Sequence, residues 1–254
     1  NGFIGKRHLL AAMTEVHCNP LVLDQPVEFT VLRVPFFLEP DYNDSSSFHE
    51  SNEDRLKRKW GAQWGLQKQR HGLKERGRAV GIEHFNLQRL ASNTRLSHRL
   101  VQYVTHQYGC TASEALYTQL NHNHFVLGQK LNDMDMLLDA ATVALGTLDG
   151  DTLFDREAAH LFLKDKQSGT QVLDNVKEQL DLLGIHSIPA FIIDGNYMVE
   201  PKEFVGVFRQ LERTPNNRST KSMFGETLGF SKAVLNGVLD LNCDDGCSVA
   251  VHSV

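Results

Sequence analysis

The four cysteines are the residues of this chain with the widest chemical reach: Cys18, Cys110, Cys243 and Cys247. The last two form a close pair, Cys243-Asp244-Asp245-Gly246-Cys247. A zinc site built on them needs two further ligands; His252 offers one, and no fourth is evident. Two reduced tail thiols are the plainer reading, and a reducing cytosol favours it. Cys18 and Cys110 fall in or beside helical patterns and read as packed thiols rather than catalytic ones. His122 and His124 sit at i and i+2 of a helical pattern, so they point apart and suit a shared metal poorly.

Three other positions carry potential chemistry. Pro189 follows Ile188 at the start of a short apolar run, where a residue without an N–H suits an edge strand. Asn93 stands where a helix N-cap is expected, and His98 follows five residues later as a packed surface histidine. For both residues a place beside a binding groove weighs about equally.

The elements that must position these residues follow from the pattern. Phe3 to Val16 reads as a helix, with Ile4, Leu9, Leu10 and Met13 recurring at three- and four-residue steps and Lys6, Arg7 and His8 between them. Val27 to Val34 alternates, is rich in β-branched residues and reads as a strand. From Asn52 to Gln167 helical patterns follow one another. One is capped at Asn93 or Thr94 and stopped by Gly109, another opens at Thr111 or Ser113, and a third runs from Asn132 or Asp133 to Gly146. Asp151 to Leu163 and Gly169 to Leu183 continue the series. The period then changes: Ile188 to Ile193 and Tyr197 to Val199 flank an Asp194-Gly195 hairpin turn, and Lys202 to Arg213 is a final helix. The strand and the hairpin, over a hundred residues apart, belong to one sheet because neither can bury itself alone.

Composition narrows the function classes. Twenty-six basic and 31 acidic residues give a net charge of -5, a poor balance for general nucleic-acid binding. The basic stretch Arg55 to Arg78 is interspersed with Glu and Gln and reads as a solvated helix face. No apolar run approaches the roughly 20 residues of a membrane span. The first residue is Asn1 rather than Met, so a fragment or processed product is expected, its targeting segment out of view.

Four segments, in order, carry a resemblance. Phe3-Ile4-Gly5-Lys6-Arg7 resembles the start of the first helix in FrnE-like members of the DsbA family, where it follows a Cys-Pro-Trp-Cys motif. Val34-Pro35-Phe36-Phe37-Leu38-Glu39-Pro40 is similar to that family's stretch after the second strand, and Asn93-Thr94-Arg95-Leu96-Ser97-His98-Arg99 to a segment of its helical insertion. Gly184 to Gly195 resembles its cis-proline segment, which places the cis bond at Ile188-Pro189. In this register Gly2 takes the place of the motif's second cysteine, and the first cysteine and first strand fall ahead of Asn1. After the hairpin, Val199-Glu200-Pro201-Lys202-Glu203 stands where the family usually has Gly-Ala-Gln.

The resemblance implies an α/β fold: a thioredoxin-like sheet lacking its first strand, with an inserted all-helical domain. The divisions are 1–48 and 168–214 for the thioredoxin-like part, 49–167 for the helical insertion and 215–254 for a tail with the cysteine pair. It implies a thiol–disulfide oxidoreductase without a prosthetic group, acting on thiol- or disulfide-bearing proteins or with glutathione as co-substrate. Neither nucleic acid nor membrane is an expected partner; a cytoplasmic location is expected, and a homodimer is an allowed assembly. Cys243 and Cys247 would be an auxiliary relay, and Gly2, Asn93, His98, Ile188 and Pro189 would line the substrate groove. Kappa-class glutathione transferases and 2-hydroxychromene-2-carboxylate isomerases share the inserted fold but use a serine, so a glutathione-dependent transferase or isomerase is an alternative. A redox-silent peptide-binding domain is a third.

Overall fold

The computed structural model describes residues 2–148, 153–195, 197–214, 223–230 and 237–243. Its first helix, α1 (Gly2–Cys18), buries Leu9, Ala12, Met13 and Val16 on one face. These pack against Phe204 and Phe208 of the last helix, α9 (Phe204–Arg213), whose own inward residues recur at the helical spacing. Phe3 and Ile4, at the other end of α1, pack against Val80, Ile82 and Phe85, and Phe3 stacks on Phe125 with ring centroids 5.6 Å apart. One helix thus bridges two apolar clusters and is fixed at both ends.

Between them lies a helical block. Three short helices, α2 (Asn52–Trp60), α3 (Trp64–Arg70) and α4 (Leu73–Arg78), carry the basic stretch, and Arg55 and Arg58 pair with Glu39 and Glu50. The helix α5 (Arg95–Phe125) is 31 residues long and breaks its own geometry at Gly109, where φ is 86° and ψ 178°. This is the stop expected from sequence, with the chain resuming a helix in nearly the same place. Helix α6 (Met134–Gly146) is capped by Asp133, whose carboxylate accepts the Met136 N–H. Helix α7 (Arg156–Lys164) is capped by Asp155, whose carboxylate accepts the Ala158 N–H; the expected start at Asp151 lies outside the described residues. Leu100, Val104, Leu116, Leu137, Leu145 and Leu163 form the shared core of α5, α6 and α7. Arg99 of α5 donates to the carbonyls of Phe162, Leu163, Asp165 and Ser168, which ties the carbonyl end of α7 to α5.

Helix α8 (Thr170–Leu182) leads to a hairpin, β1 (Ile192–Ile193) and β2 (Tyr197–Met198). The strands are antiparallel, with Ile192 opposite Met198 and Ile193 opposite Tyr197. Asp194 and Gly195 both take positive φ, 52° and 71°, the conformation for which an Asp-Gly pair is suited. Beyond the hairpin, Glu200 and Glu203 form a capping box at the entry to a short 3-10 turn and α9. The departure from the Gly-Ala-Gln pattern therefore starts a helix.

The expected sheet is the main difference. Residues 27–34 are extended, but they form no strand among the described residues. One backbone bond reaches them, from the Leu239 N–H to the Phe29 carbonyl at 2.8 Å. The N–H groups of residues 27–34 have no acceptor among the described residues. A strand exists only with a ladder partner, and β1 pairs with β2 instead.

Candidate functional site

A cavity of about 1000 Å³ lies between residues 27–34 and the 188–195 hairpin, with the start of α1 at its edge. Gly2, His98, Ile188 and Pro189 all line it. The structure thus brings together four of the residues expected at a substrate groove.

Close packing between α1 and the hairpin sets the groove's form. A Cβ on Gly5 would stand 3.2 Å from the Cβ and Cγ of Pro189 and 2.9 Å from the ring of Phe191. The Ile188–Pro189 peptide is cis. Gly2 is roomier: a Cβ there would meet only the Tyr117 hydroxyl, at 3.7 Å. Gly2 and Phe3 of the first turn of α1 line the cavity, and a helix N-terminus has a polarity suited to an anion or thiolate.

His98 is held in the groove wall. Its ring meets Phe37 edge-on with centroids 5.1 Å apart. Burial pulls its pKa down to about 4, against the opposing effect of a hydrogen bond with the Phe36 backbone, so the ring is neutral at pH 7.

Asn93 is a correction to the expected groove lining. Its side-chain amide donates to the Tyr42 carbonyl at 2.7 Å and to that of Pro40 at 3.3 Å, and its oxygen accepts the Arg95 N–H at 2.8 Å. It fastens the 40–42 loop to the start of α5 and does not line the cavity. The N-cap position of α5 is Thr94, and Asn93 closes a turn immediately before it.

The cysteines are arranged differently from the expectation. Cys18, the last residue of α1, is disulfide-bonded to Cys243 across 225 residues, with Cα atoms 5.6 Å apart. Cys18 is therefore not a packed thiol, and Cys243 is not bonded to Cys247, which lies outside the described residues. The cause is local packing: Leu239 and Leu241 are buried against Leu9, Met13, Val16 and Phe208, which carries the following Cys243 to the end of α1. The alternation of Leu239 and Leu241 is the sequence signal for that burial. Cys110 is a free, buried thiol, and burial pushes its pKa up to about 11. No cluster of metal-ligating residues occurs among the described residues.

A buried charge cluster went unread in the sequence. Glu114 of α5 receives the Arg33 guanidinium through a fork of two bonds, 2.6 and 2.7 Å long, and also contacts the Lys6 ammonium of α1. Arg33 lies over the Tyr117 ring, 4.3 Å from its centroid. Burial, then the charge of Arg33, pull Lys6 down to about 6 despite its contact with Glu114. Arg33 and Tyr117 also line the cavity, so the cluster supports the groove wall. Beside it, Gln102 donates its amide to the Arg33 carbonyl at 2.9 Å, while its buried side-chain oxygen has no partner among the described residues. A charge on the apolar face of a helix is the signal that marks such residues. Lys6 was expected between the apolar positions, and it is buried instead.

No protein-family model and no curated protein matches the chain. Among solved structures, it is similar to a probable DsbA oxidoreductase from Streptomyces coelicolor, with a TM-score of 0.65 and 20% identity over 82% of this chain and 83% of that one. The chain has a DsbA-like fold. Among the described residues no helix is long and apolar enough to cross a membrane.

Proposed function

We propose that this chain is a thiol–disulfide oxidoreductase of the DsbA type, related to its FrnE-like members, and that it binds extended thiol- or disulfide-bearing polypeptides, or glutathione, in the groove between α1 and Pro189. The observation that carries this reading is the convergence of the α1 N-terminus, Pro189 and residues 27–34, whose backbone N–H groups have no acceptor among the described residues, on one cavity. Each part suits one portion of such a ligand. Unpaired backbone donors take the carbonyls of an extended chain, as in strand addition. The α1 N-terminus stabilises a thiolate or carboxylate. The buried Gln102 oxygen accepts an N–H. Neutral His98 adds an apolar wall without a competing charge.

Pro189 has no N–H and lies against Gly5, so the backbone of Ile188 is left to pair with the ligand. No prosthetic group is part of this proposal; turnover would be attack on the bound disulfide by a thiolate supplied from outside the described lining of the groove.

A second reading is favoured by one feature: among the described residues lining the cavity there is no cysteine. On that reading the groove holds peptides without redox turnover.

Isothermal titration with reduced glutathione and with an eight-residue peptide of alternating Val and Thr around one cysteine tests the groove. Binding weakened about tenfold or more by Gly5→Val is the expected result. Equal binding by both proteins, or none by either, overturns it. Insulin reduction in the presence of dithiothreitol separates the two readings, since the peptide holder binds but does not turn over.

A further inference from the structure

Cys18 and Gly2 mark opposite ends of α1, about 24 Å apart at 1.5 Å per residue. The Cys18–Cys243 bond is therefore remote from the groove mouth. It fastens a stretch of chain, Gly237 to Cys243, that has no helix or strand of its own. Three of the bonds that hold it reach other segments of the chain. The Leu239 N–H donates to the Phe29 carbonyl at 2.8 Å, the Thr30 hydroxyl to the Gly237 carbonyl at 2.8 Å, and the Thr111 hydroxyl to the Val238 carbonyl at 3.1 Å. Leu239 and Leu241 cover Leu9, Met13, Val16 and Phe208. Cys243 itself is exposed.

We propose that Cys18–Cys243 is a second redox site, a latch opened by a dithiol reductant, and that opening it releases residues 237–243 from α1 and from residues 27–31. The proposal does not rest on the groove reading.

The exchange balances as follows. One thiolate of the reductant attacks the exposed Cys243 sulfur. A mixed disulfide forms and Cys18 leaves as a thiolate that takes up a proton. The second thiol of the reductant attacks its own sulfur in that mixed bond and releases Cys243. Two electrons pass to the cysteine pair and the reductant becomes a disulfide.

Position makes this site a switch rather than a turnover centre. Cys18 ends α1, where the helix carbonyls disfavour a negative charge. Its reduced form is a protonated, slow nucleophile, so it does not rapidly attack a new substrate disulfide. The consequence of opening is local. A segment without a helix or strand of its own opens at lower free energy once its cross-link is cut. Release uncovers the apolar face shared by α1 and α9 and leaves the Phe29 carbonyl without its donor. Residues 27–31 are also a wall of the groove, so the two ends of α1 are coupled through that strip.

The test uses the full chain. A non-reduced proteolytic digest analysed by mass spectrometry is expected to contain a cross-linked peptide pair holding Cys18 and Cys243. Hydrogen exchange at Leu239 and binding of the dye ANS are then compared for the oxidised chain, the chain in dithiothreitol, and the variants Cys18→Ser, Cys243→Ser and Cys247→Ser. Reduction, Cys18→Ser and Cys243→Ser are each expected to speed exchange at Leu239 about tenfold or more and to raise ANS fluorescence. The change at Leu239 should exceed any change in α5 and α6, and Cys247→Ser should match the oxidised parent. Should the serine variants not fold, the reduced parent chain decides. A Cys243–Cys247 cross-link, unchanged exchange on reduction, or reduction that occurs only in denaturant would overturn the proposal.

Discussion

Gly5 and Pro189 pack so closely that no side chain fits between them: a Cβ on Gly5 would stand 3.2 Å from two carbons of the Pro189 ring. This contact joins the first helix to the hairpin and sets the width of the groove. It makes Gly5 a structural requirement at a helical position where alanine is otherwise preferred.

Gly5→Ala and Gly5→Val should therefore behave differently. Alanine gains helix propensity, roughly 1 kcal/mol, which offsets part of the crowding. Valine adds further atoms against Pro189 and Phe191 and should lose about 1–3 kcal/mol. Urea denaturation of the two variants checks this, with alanine below the parent and valine lower still.

Lys6 gives a pH dependence of definite sign. Its pKa is about 6 in the folded chain against 10.5 for the free side chain. Between those values the unfolded chain holds a proton that the folded chain does not, so this group's contribution to stability rises with pH across that window and is flat below it. Lys6→Met removes the slope and leaves Glu114 paired with Arg33. At pH 7 the variant should be more stable by roughly 1–4 kcal/mol. Thermal melts between pH 6 and 9 will show whether the slope disappears.

His98 gives a second window. The folded value is about 4 and the unfolded 6.5. The unfolded chain thus takes the proton first, and stability falls as pH drops from about 6.5 through 4 while staying flat above it. His98→Phe should remove this part of the acid sensitivity. In NMR the His98 ring should show no titration between pH 5.5 and 8.

Cutting the Cys18–Cys243 link also has a thermodynamic effect. The bond closes a loop of 225 residues, and the chain-entropy account assigns a loop of that size about 5 kcal/mol. Cys18→Ser and Cys243→Ser should lower stability by similar amounts, and the double variant by little more than either alone. Denaturation of the three variants provides the comparison.

Local signals account for most of what was legible in the sequence. Asp133 caps α6, and Asp194-Gly195 turns the hairpin, because caps and turns depend on residues a few positions apart. The alternation of Val27 to Val34 identified extended chain correctly, but pairing is a property of two segments and could not be read from one. The same limit hid Cys18–Cys243 and the Lys6–Glu114–Arg33 cluster, whose members lie far apart in sequence and meet only after folding. The helix start at Asn93 or Thr94 was legible, with Thr94 taking the cap position, and Asn93's bonds to Pro40 and Tyr42 gave it a positioning role that no motif conveys.

The most direct test of the groove is a thiol placed in it. Gly2→Cys is sterically allowed, since the nearest atom to its Cβ is the Tyr117 hydroxyl at 3.7 Å. Thr170→Cys, at the start of α8, serves as a helix N-terminal thiol without a groove. The measurement is the rate of mixed-disulfide formation with glutathione disulfide across pH, with and without the alternating peptide carrying serine in place of its cysteine. We expect the Gly2→Cys thiol to titrate below the ordinary value of about 8.5, to react faster than Thr170→Cys, and to be protected by the peptide. Equal rates for the two variants, with no protection at either, would contradict the assignment of this groove as a substrate site.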